Sequence, residues 1–141
     1  MRFDEYYNET EYIFGDEIES EFAEDAYKMA KKHGISVLSD KELYCIAVIN
    51  DEVIGALWTT WLSGEFSFDV VVRDDYQGEG IGNKLVDISI QEYGQTKEAY
   101  DNGDGTVLRV DVINPQMEKM LLKKGFKIES KQPGHTMMVK Y

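Results

Sequence analysis

Cysteine is almost missing from this 141-residue chain: Cys45 stands alone, and a lone thiol closes no internal disulfide. Proline is nearly as scarce, with Pro115 and Pro133 both late, and no Pro/Ser linker, repeat or low-complexity tract divides the sequence, which predicts one domain over residues 1–141. No apolar run approaches the roughly 20 residues of a membrane span, so no membrane association is expected. Positive charge is in short supply, 15 Lys and Arg against 27 Asp and Glu, for a net charge of −12. Nucleic-acid affinity rests on Lys and Arg contacts to phosphates, so a DNA or RNA partner is not expected. The opening Met1-Arg2-Phe3-Asp4-Glu5-Tyr6-Tyr7 lacks the basic and then apolar pattern of a secretory signal, which predicts a cytoplasmic protein. Metal is not expected either, since the acids around Asp101 and Asp104 miss the spacing of a calcium loop.

What the chain has is apolar residues at 43%, enough for one core, and acids crowded at the front. Asp4, Glu5, Glu9, Glu11, Asp16, Glu17, Glu19, Glu21, Glu24 and Asp25 all precede the first lysine, Lys28. Such a field suits a cationic partner, an amine or a basic protein segment, although acidity serves solubility as well.

Ile18, Phe22, Ala26, Met29 and Ala30 recur at helical spacing and predict an amphipathic helix over 16–33, stopped by Gly34. Residues 44–49 and 53–62 read as strands of a hairpin about Asn50-Asp51-Glu52, and 65–73 as a third strand, antiparallel in series. In that third strand Phe66, Phe68, Val70 and Val72 alternate with Glu65, Ser67, Asp69 and Val71. The glycine turn opens a second helix carrying Ile81, Leu85, Val86, Ile88, Ile90 and Tyr93, followed by a strand over 106–113, a short helix from Pro115 to Lys124-Gly125, and closing strands over 126–130 and 136–141.

The stretch from Asp69 to Asn83 is the most informative, because a β-branched strand runs into a glycine-rich turn that opens a helix. Helix N-termini carry N–H groups without intrahelical partners and the positive end of the peptide dipole, and so bind phosphate. A dinucleotide fingerprint fails, since Gly82 falls one place early, and Asn83-Lys84-Leu85 lacks the hydroxyl of a P-loop. What fits is Gln77-x-x-Gly80-x-Gly82, preceded by Val72-Arg73-Asp74-Asp75-Tyr76, together with Leu108-x-Val110-x-x-x-Asn114 and then Gly125-Phe126. This joint pattern resembles the GCN5-related N-acetyltransferase (GNAT) family over most of the chain.

The resemblance implies an α+β fold: a mixed, mainly antiparallel sheet of six to seven strands with helices on both faces. It implies acetyl-CoA as cofactor. Val70, Val71 and Val72 would present backbone groups to the pantetheine arm at a bulge, and Gln77, Gly78, Glu79, Gly80, Ile81, Gly82 and Asn83 would face the pyrophosphate. Asn114 matches the family's cofactor-contacting asparagine, and also suits a helix cap before Pro115. The implied activity is acetyl transfer to a primary amine of a cationic small molecule or a protein lysine.

Asp69, just before those valines, stands where polyamine acetyltransferases of the family similarly have an acid that meets the amine, and Glu65 shares its alternation face. A solvated strand face, or pairing of Asp69 with Arg109, is the bland reading. Two family positions are not kept: Leu121 stands where a tyrosine often acts as general acid, and Arg109 where N-terminal acetyltransferases place a glutamate base. The alternative is therefore a catalytically weak binding module that engages a basic partner through its acidic front. The acceptor site would be built by that front and by Gln132 to Thr136, which carry no motif. His135 suits a surface or packing position better than a proton shuttle, and His33 suits a helix C-terminus. Cys45 reads as core, and of Trp58 and Trp61 one reads as core and the other as a candidate for the acceptor cleft.

Overall fold

Strand β2 (Glu42–Ile49) and strand β3 (Glu52–Leu62) form because their apolar residues run almost without interruption, and the tight turn between them is set by Asn50 and Asp51. Both turn residues have positive φ, 50° and 62°, which Asn and Asp tolerate better than other side chains, and a two-residue turn of this hand matches strand twist. Cys45 to Ile49 and Val53 to Thr60 are buried continuously rather than alternately, the pattern of strands covered on both faces.

These elements belong to a computed structural model that describes residues 10–35, 42–62, 65–99, 107–112, 115–133 and 135–140. In chain order the remaining elements are β1 (Glu11–Phe14), α1 (Ser20–Lys32), β4 (Glu65–Val72), α2 (Ile81–Ala99), β5 (Val107–Val112), α3 (Pro115–Lys123), β6 (Lys127–Gln132) and β7 (His135–Lys140). The strands form one sheet in the order β1-β2-β3-β4-β5-β7-β6. Contacts divide the chain into two compact units, Met1–Trp58 with Val70–Val86, and Thr59–Asp69 with Asp87–Tyr141.

In the first unit, Ala26, Met29 and Ala30 of α1 pack on Ile46, Val48, Val53, Ala56, Trp58 and Val71. A Cβ on Gly55 would instead meet Ile81 and Leu85 at the start of α2, and Ala47 Cβ on the same side of the strands. Ala47 alternates with Ile46 and Val48 along β2, so α1 and α2 take opposite faces of the strands. Burying each of Ile54, Leu57 and Trp58 contributes about 1.5–3 kcal/mol, more than the ~0–1 kcal/mol of a surface ion pair, so packing holds this unit.

In the second unit, Glu65 to Phe68 of β4 pair in parallel with Val107 to Val110 of β5, β7 pairs antiparallel with both β5 and β6, and β6 shifts register between Ile128 and Ser130. Phe68 meets Phe126 edge-on at 6.1 Å, and Leu121 and Met138 are fully buried. Helix α3 ends as its lysines and glycine predict: Phe126 N–H donates to Leu121 O and Gly125 N–H to Leu122 O.

Three expectations change. The helix over 16–33 starts at Ser20, because residues Gly15–Glu17 form a 3-10 turn closed by Ile18 N–H to Gly15 O, and Ile18 is extended beyond it. Residues 11–14, unassigned from sequence, pair antiparallel with Cys45 to Val48 as β1; four residues among acids carry too little periodicity to declare a strand. On β4 burial does not follow one face, since Val71 and Val72 are both buried.

Candidate functional site

The chain leaves β4 through Arg73, whose N–H donates to Ile54 O at 2.8 Å. A 3-10 turn over Asp74–Tyr76 follows. It is clamped by a fork: Arg73 Nε donates to Asp75 Oδ1 at 2.7 Å and Nη2 to Oδ2 at 3.0 Å, with the guanidinium 5.0 Å from the centre of the Tyr76 ring. Glu52 lies 3.8 Å from the same guanidinium. The hydrogen bonds from Arg73 hold the Asp75 carboxyl below its usual range, and Asp75 in turn raises Arg73.

Gln77 then folds back on the strand, donating from Nε2 to Val72 O at 3.2 Å and, more weakly, to Asp74 Oδ1 at 3.4 Å. Val72 O retains a second lone pair. Gly78 and Gly80 have φ of 87° and 85°, where an L side chain is strained, and a Cβ on either would have nothing within 4 Å. The turn is thus glycine by backbone demand and open above both α-carbons. Gly80 O accepts the first α-helical bond of α2, from Lys84 N–H at 3.0 Å, which leaves Ile81, Gly82 and Asn83 N–H without intrahelical acceptors at the positive end of a 19-residue helix. Those donors and an open approach fit a pyrophosphate, while Glu79, exposed between the glycines, adds a negative charge.

Gly55 is the residue that sequence reasoning missed. A Cβ there would lie 3.0 Å from Ile81 Cγ2 and 3.1 Å from Leu85 Cδ1, so its bare α-carbon lets α2 sit against β3 and fixes where the helix begins. The signal was an isolated glycine inside a strand, which marks a close approach.

His33 is the cap residue of α1, where Gly34 N–H to Lys31 O and Ile35 N–H to Ala30 O close the helix. The expected position at a helix C-terminus holds, and its ring also reaches Asp74.

The first unit thus holds Val70, Val71, Val72, Gln77, Gly78, Glu79, Gly80, Ile81, Gly82 and Asn83 together. Val70, Val71 and Val72 come after Phe68, the last β4 residue in the β5 ladder. Asp69 is half-buried and engaged in an interaction within the fold. Asn114 and the side chains of Glu65, Arg109, Trp61 and His135 lie outside the described residues. Of the two tryptophans, Trp58 is core, packed 6.0 Å from Tyr27, and its indole N–H has no hydrogen-bond partner among the described residues. Cys45 is core too, its thiol pushed up to about 12 by burial. Leu121, at the family's tyrosine position, is 0% exposed. Among the described residues no group of His, Cys, Asp and Glu is placed to hold a metal, and no helix is long and apolar enough to cross a membrane.

Comparison with solved structures places this geometry. The ribosomal-protein-S18-alanine N-acetyltransferase of Escherichia coli is similar at 15% identity and a TM-score of 0.66, over 92% of each chain. An aminoglycoside 6'-N-acetyltransferase complexed with coenzyme A is similar at 13% identity and 0.65, over 92% of this chain and 96% of that one. A Bacillus subtilis acetyltransferase in complex with CoA shows 13% identity and 0.62, over 93% and 97%. At such identities these likenesses speak for the fold, and they bear out the α+β expectation. No curated protein sequence matches the chain. The sequence profile described as "Acetyltransferase (GNAT) domain" matches residues 40–128, well over half the chain and the whole stretch from β2 through the glycine turn to α3, and the protein belongs to that family.

Proposed function

We propose that this protein is an acetyl-CoA-dependent N-acetyltransferase whose acceptor is a primary amine, carried by a cationic small molecule or a protein lysine. One observation carries the reading: Gly78 and Gly80, both left-handed and open above their α-carbons, deliver the N–H groups of Ile81, Gly82 and Asn83 at the start of α2. In this reading the N–H groups from Gly78 to Asn83 hold the pyrophosphate, Val70 to Val72 hold the pantetheine arm, Gln77 fixes the turn and Asn114 supports the cofactor.

Bound there, acetyl-CoA would supply an acetyl group activated as a thioester to a neutral amine, and the coenzyme would leave as a thiolate that takes up a proton. The chain must supply a base. A lysine-like ammonium costs roughly 4–5 kcal/mol to deprotonate at neutral pH, so a carboxylate or a water chain beside the acceptor serves as base. Asp69 is assigned that role, with Glu65 second. The acidic α1, with Glu21, Glu24 and Asp25, supports a cationic acceptor by its field.

Calorimetry with acetyl-CoA tests the donor half. Binding by the pure protein that is lost in Gly80→Trp is expected, and no binding, or equal binding by the variant, removes the reading. For the acceptor half, amines and basic peptides are screened with labelled acetyl-CoA, and Asp69→Asn is expected to lose transfer while still binding the cofactor.

The buried Leu121 favours one second reading, a catalytically weak module that engages a basic partner through its acidic N-terminal region. Steady transfer to polyamines or lysine peptides, abolished by Asp69→Asn, counts against it.

A further inference from the structure

His33 makes two contacts, and both partners are acceptors. Nδ1 lies 3.1 Å from Met29 O, and Nε2 lies 3.0 Å from Asp74 Oδ1. A carbonyl oxygen has no proton to give and a carboxylate accepts only, so the ring completes both bonds only as the imidazolium. The neutral ring has one N–H, and either tautomer sets a nitrogen lone pair against an oxygen.

His33 caps α1, so the carbonyls of the last turn place the negative end of the helix dipole beside it. On the facing turn Arg73 is taken by Asp75, with Glu52 behind it, and Lys32 of α1 acts on Asp75, while Asp74 is met by the His33 ring. Asp74 Oδ1 also accepts from Gln77 Nε2, whose other bond goes to Val72 O. A continuous chain of contacts therefore runs from the end of α1 through Asp74 and Gln77 to the last residue of β4, and Gln77 immediately precedes Gly78.

We propose that His33 is a positioning residue for the glycine turn: its ring holds Asp74, Asp74 holds Gln77, and the turn's affinity for acetyl-CoA falls when His33 is replaced. This rests on the reading of that turn as the pyrophosphate site. The pair is only partly shielded, with side chains 21% and 70% exposed, which limits the effect to roughly twofold to fivefold in affinity.

The test is acetyl-CoA affinity at a single pH, by calorimetry, for wild type, His33→Gln and Gly80→Trp. Wild type should bind roughly twofold to fivefold more tightly than His33→Gln. Equal affinities overturn the role of His33 while leaving the turn as the cofactor site. If Gly80→Trp binds as wild type does, the site itself is wrong. A readout without ligand keeps the relay apart from a general loss of stability: the Gln77 side-chain amide resonances should shift in His33→Gln, and amide signals indifferent to that substitution overturn the relay.

Discussion

Gly55 and Ile81 are in contact so close that the glycine's missing side chain is what lets the helix start where it does. A Cβ on Gly55 would stand 3.0 Å from Ile81 Cγ2, a methyl on a stiff β-branched side chain already buried against the sheet.

Gly55→Ala should therefore destabilise the protein by about 1 kcal/mol, since overpacking costs ~1–3 kcal/mol and removing a glycine from a strand returns part of it. Gly55→Val should cost more. Both push on Ile81, the first residue of α2, so acetyl-CoA affinity should fall together with thermal stability. An alanine variant with unchanged melting temperature and affinity would show that the strand and helix separate freely.

Gly78→Ala and Gly80→Ala differ in cause from that case, because neither Cβ would touch a neighbour. Their cost is backbone strain at φ of 87° and 85°, about 1–2 kcal/mol each. Melting curves should show it without ligand, and calorimetry should show a further loss in acetyl-CoA binding. Equal stability of wild type and variants would mean that the turn relaxes to negative φ at little cost.

Asp75 gives a pH prediction. Arg73 lowers its folded-state carboxyl relative to the unfolded chain, so its contribution to stability is present above the unfolded value, near pH 3.8, and lost as pH falls through the lower folded value. Asp75→Asn should thus lower the melting temperature at neutral pH and approach wild type at strongly acidic pH. A difference that grows on acidification would reverse the sign and refute the assignment.

Cys45 should be silent. With its thiol buried and pushed up to about 12, almost no thiolate forms near neutrality, and iodoacetamide should leave the native protein unmodified while labelling it fully in denaturant. Rapid native labelling would show that β2 opens.

The glycine turn was legible before any coordinates because its constraints are local. Gly78 and Gly80 answer to their own φ, Gly80 to Lys84 is one helical turn, and the Asn50-Asp51 hairpin is set by two adjacent residues. The hidden parts depend on residues far apart in the chain. Strand β1 is declared by β2 more than by its own four residues, and β7 enters between β5 and β6, which no spacing foretold. The double burial of Val71 and Val72 likewise follows from what covers the strand, not from alternation.

For this protein the sequence alone determined the family, the order of elements from β2 onward and the glycine turn, since φ preferences and periodicity are carried by contiguous residues. Tertiary structure alone decided that Gly55 seats α2 and that His33 meets Asp74 across 41 positions of sequence. Such meetings arise only when packing brings distant segments within a few ångströms, and the residue types by themselves carry no record of the partner.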